Sequence, residues 1–198
     1  MSGMNAARSA VSVLSCACAV ALAGCDSGSD GGTATPPPAS TETTGANVPL
    51  EQASTDPVVV SATMVETALL TDVRAARHGS FDRVVFEFRN GVPGYDVRYV
   101  ARPVTADGSG AEIEVAGSEV LQIRMESALD ADLTKESAPR TYTGPTRLDP
   151  DTPQLAEVVR TGGFEGVLTW VAGTRSRAAF RVTTLESPPR LVIDLRNG

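Results

Sequence analysis

Between Ala68 and Leu195 the apolar residues recur at every second position, and that period confines the chain to sheet. In Arg83–Phe88, Val84, Phe86 and Phe88 share one face while Arg83 and Glu87 point away. Tyr95, Val97 and Tyr99 alternate with Asp96 and Arg98, and Leu121, Ile123 and Met125 fall together in Val120–Met125. Near the C-terminus, Leu168 and Trp170 share a face, as do Phe180 and Val182, and then Leu191, Ile193 and Leu195. Ala68–Ala76 reads as a further strand. Asn90-Gly91-Val92-Pro93-Gly94 has the chemistry of a turn, and Ala116-Gly117-Ser118 is placed to turn Glu112–Val115 back into the next run. About seven to nine short strands and little helix predict an all-β domain over residues 67–198, an antiparallel β-sandwich or a partly open barrel. Ser127–Thr152 breaks the pattern: rich in Asp, Thr and Pro, it predicts a loop with a helical turn near Ala128–Leu133.

The N-terminus follows different rules. Residues 1–24 have the parts of an export signal: Arg8, no acid before Asp26, and an apolar run from Ala10 to Ala23 too short for a permanent span. Leu22-Ala23-Gly24-Cys25 resembles a bacterial lipobox, which implies cleavage before Cys25 and acylation of its thiol. Each buried CH₂ contributes about 0.8 kcal/mol, so two or three acyl chains hold a protein firmly at the extracytoplasmic face of the cell membrane. Cys16 and Cys18 leave with the leader, and the remaining domain then has no disulfide and no cysteine metal site. Asp26 to about Glu66 reads as a disordered linker, with Gly31-Gly32, Pro36-Pro37-Pro38 and Thr41-Glu42-Thr43-Thr44 and little apolar surface. As a coil of about 40 residues it spans roughly 35 Å. Its end is soft, because Val58-Val59-Val60 and Met64-Val65 are candidates to begin ordered structure.

Charge restricts the partners. Loss of the leader removes Arg8 from 17 basic side chains and leaves 24 acidic ones, a formal charge of −8. Nucleic acid recognition needs a basic footprint and is disfavoured. Lys135 is the single lysine among many arginines, which with abundant Ala, Gly and Val indicates a high-GC genome such as an actinobacterium's.

Two stretches resemble a known family. Phe81-Asp82-Arg83-Val84-Val85-Phe86-Glu87-Phe88 and Ser187-Pro188-Pro189-Arg190-Leu191-Val192-Ile193-Asp194-Leu195 are similar to the paired strand signatures of the AMIN domain. With Pro93-Gly94-Tyr95, Tyr142-Thr143-Gly144-Pro145-Thr146-Arg147 and Gly162-Gly163-Phe164-Glu165-Gly166, the longer form resembles the AMIN-like domain of actinobacterial lipoproteins, over about Ala68 to Leu195. The resemblance implies a β-sandwich module that brings envelope amidases and secretins to the wall by binding peptidoglycan, and it implies no catalytic residue. The chain departs from that pattern in its inserted-looking middle and in carrying no attached catalytic domain.

The residues that could do chemistry are few. His78, the sole histidine, precedes Gly79-Ser80 in a turn and lacks the setting of a triad. One histidine also excludes a multi-histidine metal site. Asp130, Asp132, Asp149 and Asp151 do not match a calcium loop and read as solvated acids. Trp170 is expected in the core, and Tyr142, beside Gly144-Pro145, is the better exposed aromatic platform for a sugar. Past Pro188-Pro189, Arg190, Asp194 and Arg196 face away from the buried side of their strand, as a solvated or cross-strand-paired surface or as a ligand-binding one. Tyr142, Arg190 and Asp194 are therefore the candidate ligand-binding residues, with Cys25 the lipidation site and no cofactor, metal or catalytic residue expected. The leading expectation is a non-enzymatic, lipid-anchored envelope module that binds peptidoglycan or another wall component. The alternatives are a structural or regulatory lipoprotein whose sheet edge meets an envelope protein, and a hydrolase with an unrecognised site.

Overall fold

A computed structural model describes residues 50–63 and 66–198. Cys25, the leader, most of the expected linker and Met64-Val65 lie outside the described residues. The strands in chain order are β1 (Val58–Val60), β2 (Ala68–His78), β3 (Phe81–Arg89), β4 (Gly94–Val100), β5 (Glu119–Glu126) and β6 (Ala128–Leu129). They continue with β7 (Arg147–Leu148), β8 (Leu155–Phe164), β9 (Val167–Thr174), β10 (Phe180–Glu186) and β11 (Pro189–Arg196). The described residues form two sheets, ordered β10-β11-β3-β2-β6 and β1-β4-β5-β9-β8-β7. Every pairing is antiparallel except the short β2–β6 contact, so the all-β sandwich expected from the alternation is present.

Alternation places the core between the sheets. Val84, Phe86 and Phe88 of β3 and Leu191, Ile193 and Leu195 of β11 meet Val97, Leu121, Ile123, Met125, Leu168 and Trp170 of the opposite sheet. Trp170 is fully buried at the centre, with Phe86 and Tyr142 edge-on to it at ring separations of 5.8 and 5.9 Å. Such edge-to-face contacts add to the burial of apolar area that stabilises the sandwich. The Asn90–Gly94 turn is a corner between sheets rather than a hairpin, since β3 and β4 lie in different layers. Asn90 and Gly91 take φ of 70° and 112°, values that Asn and Gly tolerate best.

Asp82 locks the two layers together. It sits on the inward side of β3, fully buried, and its Oδ2 accepts the backbone N–H of Gln154 (2.6 Å) and Leu155 (3.0 Å) at the start of β8. The Asn197 carboxamide, in the orientation that satisfies both its ends, donates to Oδ1 at 2.9 Å.

Three expectations need correction. The linker read as running to Glu66 is already part of the domain at Leu50, which is buried and whose carbonyl accepts a hydrogen bond from Arg196 Nη2 at 3.1 Å. Ser54 then exchanges both backbone hydrogen bonds with Phe180 on the edge of one sheet, and β1 pairs with β4 on the edge of the other. Polar composition hid this strap because its hold comes from backbone groups and a few apolar side chains. Second, the helical turn near Ala128–Leu133 is absent: Ala128 and Leu129 form β6, and Ala131 bridges Arg140. Third, Glu112–Val115 is no paired strand of a sheet. Residues 101–118 fold as a flap over the outer face of the six-stranded sheet, where Val104 and Val115 join Val120, Val159 and Val171 in a second, smaller core.

Candidate functional site

The outer face of the five-stranded sheet follows from parity and register. Residues opposite in parity to the core set point outward, and the register aligns them in rows across β10, β11, β3 and β2. One row reads Arg181, Asp194, Arg83, Ala76; the next Thr183, Val192, Val85, Arg74; the third Leu185, Arg190, Glu87, Asp72. Guanidiniums exceed carboxylates by one in these rows, although the chain as a whole is acidic.

Asp194 is fully buried and already engaged. Arg83 grips it with both arms of its fork, Nε to Oδ1 at 2.7 Å and Nη2 to Oδ2 at 3.0 Å, and Arg181 Nη2 reaches Oδ2 at 2.9 Å. Of the two sequence readings of Asp194, the cross-strand pair is the one found. Its lone pairs are spent inside the protein, so it acts as a strut for two arginines rather than as a ligand contact. Both arginines remain about 30 % exposed. Arg181 Nε is buried without a hydrogen-bond partner among the described residues. Arg83 also lies over the Phe81 ring at 5.2 Å, with His78 stacked on the same ring at 5.1 Å. His78 thus ends β2 beside a turn, as the sequence indicates.

Arg190 differs from its neighbours. Glu87, directly opposite it, is paired with Arg74 at 3.1 Å. Arg190 makes no ion pair among the described residues, and its Nε donates to the Pro188 carbonyl at 3.3 Å. Its charge is therefore available at the surface of a rigid strand.

Tyr142 is not the exposed platform expected of it. It is 4 % exposed, packs on Trp170, and donates its hydroxyl to the Pro145 carbonyl at 2.6 Å. Gly144 runs against its ring so closely that a Cβ there would sit 2.7 Å from the phenol oxygen. The sequence offered loop composition at this point, and the aromatic instead closes the core. Burial pushes its phenol above the ordinary value, as it does those of Tyr95 and Tyr99.

The acids of the middle segment separate. Asp130 is held by Arg140 (2.6 Å) and Arg160 (2.9 Å), and Asp132 by the Thr134 hydroxyl and Lys135. Asp149 and Asp151 are exposed. No group of acidic, histidine or cysteine side chains fit to hold a metal occurs among the described residues.

Sequence reasoning missed Arg83 and Arg181 as partners of Asp194. The outward parity of both is visible in the sequence, but their meeting across β11 depends on the strand order. It also missed Phe164, the exposed ring at the tip of the β8–β9 hairpin.

The model of the AMIN-like domain family matches residues 68–197. Neither the curated proteins nor the solved structures compared with the chain include a match.

Proposed function

We propose, from the premise that this chain belongs to the AMIN-like domain family, that it is a lipid-anchored, non-catalytic module that binds the cell wall. The family places the domain among binding modules of the cell envelope. The finer reading adds an acylated Cys25 at the extracytoplasmic face of the membrane and peptidoglycan as the ligand. The single observation that carries the ligand class is Arg190, unpaired among the described residues, on the same sheet face as two arginines fixed by Asp194 two rows away. Wall peptides carry carboxylates, and guanidinium forks bind carboxylates in two-point geometry. Asp194 holds Arg83 and Arg181 in place, so little of their side-chain entropy is lost on binding. An actinobacterial source agrees with the arginine-rich composition.

Sedimentation of the full chain, in detergent, with insoluble peptidoglycan tests this. Arg190→Ala should leave more protein in the supernatant while circular dichroism stays that of the parent; equal sedimentation sinks the assignment. Labelling with a radioactive fatty acid should disappear in Cys25→Ala, and persistent label would remove the anchor from the reading.

A second reading has its own observation. Val59 and Val60 of the edge strand β1 are 59 % and 45 % exposed, as a strand that accepts another strand from an envelope protein would be. Retention of a protein partner by a chain that ignores peptidoglycan would favour it.

A further inference from the structure

A groove of about 430 Å³ lies on the outer face of the six-stranded sheet, the face opposite the arginine rows. Gln122 and Arg124 of β5 and Val167 and Thr169 of β9 form its floor. Arg124 and Thr169 are register partners on the two central strands, so the floor is rigid. Asp107 of the flap, which covers Gly162 of β8, and Phe164 and Glu165 of the β8–β9 hairpin form its walls.

Both walls are held in place by local backbone features. Glu165 and Gly166 take φ of 50° and 77°, the two positive values of a tight hairpin turn, and this projects Phe164 at the tip. Asp107 donates its backbone N–H to the Thr161 carbonyl at 3.0 Å. It lies so close over Gly162 that a Cβ there would meet its Oδ2 at 1.7 Å. The register of β8 against β9 slips between Arg160 and Gly162, and bulges of this kind re-aim side chains beside sites.

Phe164 is 64 % exposed, whereas Phe81, Phe86, Phe88 and Phe180 are 3 % exposed or less. An apolar ring kept in water forfeits the burial that its neighbours enjoy. Here it borders a polar floor, two residues along β8 from the glycine that the Asp107 carboxylate covers. The groove's charge disfavours anions: Asp107 and Glu165 line it, and Arg124 is paired with Glu126. What remains is a ring for an apolar face, and a carboxylate, a carboxamide and a guanidinium edge for adjacent hydroxyls. The volume is that of a small-ligand cleft.

From these features we infer that the groove binds a neutral saccharide, with the sugar's apolar face on Phe164 and its hydroxyls on Asp107, Gln122 and Arg124. The inference stands apart from the arginine face and uses none of its residues. Isothermal titration calorimetry of the full chain in detergent with chitotriose, maltotriose and mannotriose tests it. At least one should bind saturably in the millimolar range. Phe164→Ala should weaken that binding about tenfold with the melting temperature unchanged, since the ring supports no core. Gln122→Ala should weaken it as well, and Arg190→Ala should leave it intact. Absence of binding by all three sugars, or equal binding by Phe164→Ala, overturns the proposal. Either result leaves the peptidoglycan assignment to its own sedimentation test.

Discussion

Asp82→Ala probes the bond that joins the two layers. Removing the carboxylate strands the N–H groups of Gln154 and Leu155, whose residues are 3 % and 0 % exposed, so water has little access to replace the lost acceptor. Each buried donor left without a partner costs about 1–3 kcal/mol. Two together give about 2–6 kcal/mol, against a total of roughly 5–15 kcal/mol for a typical domain. Asp82→Asn keeps one acceptor oxygen but loses the charge and sets an amide nitrogen against the Asn197 donor, so it should fall between parent and Ala. At roughly 2–4 °C per kcal/mol for a domain of this size, the Ala variant should melt about 4–24 °C lower. Urea unfolding followed by circular dichroism measures the same difference through the midpoint. Thr183→Ala, exposed on the outer face, is the control and should stay within about 0.5 kcal/mol. If Asp82→Ala unfolds at the parent's midpoint, the layers are not held at this point and the reasoning fails.

Ile193→Ala should cost about 2–5 kcal/mol by opening a cavity at the centre of β11, where Ile193 is fully buried; a neutral melting curve would contradict the core assignment. A chain begun at Glu66 loses Leu50, the Ser54–Phe180 bonds and β1, and should be less stable in urea than one that keeps residues 50–63, by roughly 2–4 kcal/mol. Equal midpoints would mean that the strap is dispensable. Alkaline titration concerns all three tyrosines, each raised by burial above the ordinary 10.0. The folded state keeps these phenols neutral where the unfolded state ionises them, so stability is full below pH 10.0 and falls as pH rises above it. Phenolate absorbance should therefore grow later than in the unfolded chain and together with loss of the fold; an ordinary tyrosine titration of the intact fold would refute this.

Which parts of this were readable in the residues depends on how local the deciding interaction is. The side-chain parity of β3, β5 and β11 is a property of neighbouring residues, and Val84, Phe86, Leu191 and Ile193 declare their buried side without any partner. The outward parity of Asp194 was equally visible. Its burial was not, because that comes from Arg181 on the preceding strand together with Arg83, which lies 111 residues away on the other side of β11. Strap residues 50–60 look like linker because backbone hydrogen bonds to Phe180 and to β4 leave no compositional trace. Tyr142 was misplaced for the opposite reason: its loop is polar and turn-rich, while its ring is drawn in by Trp170. The groove was hidden because Asp107 and Phe164 are brought together only by the flap and by the bulge at Gly162.

The strap also defines a load path. Were the chain anchored at Cys25 as proposed, a pull would enter the described domain at Leu50, whose carbonyl is held by Arg196 in the last strand. It next meets the paired hydrogen bonds of Ser54 on β10, and only then β1 on β4. Tension is thus handed to β11 and β10 of the five-stranded sheet before it reaches the three-residue β1. The first and last described segments share one end of the sandwich, where Leu50, Ser80, Arg196 and Asn197 border the same cleft. A wall-bound domain tugged by its membrane would be stretched first at that end, next to the row of Arg181, Asp194 and Arg83.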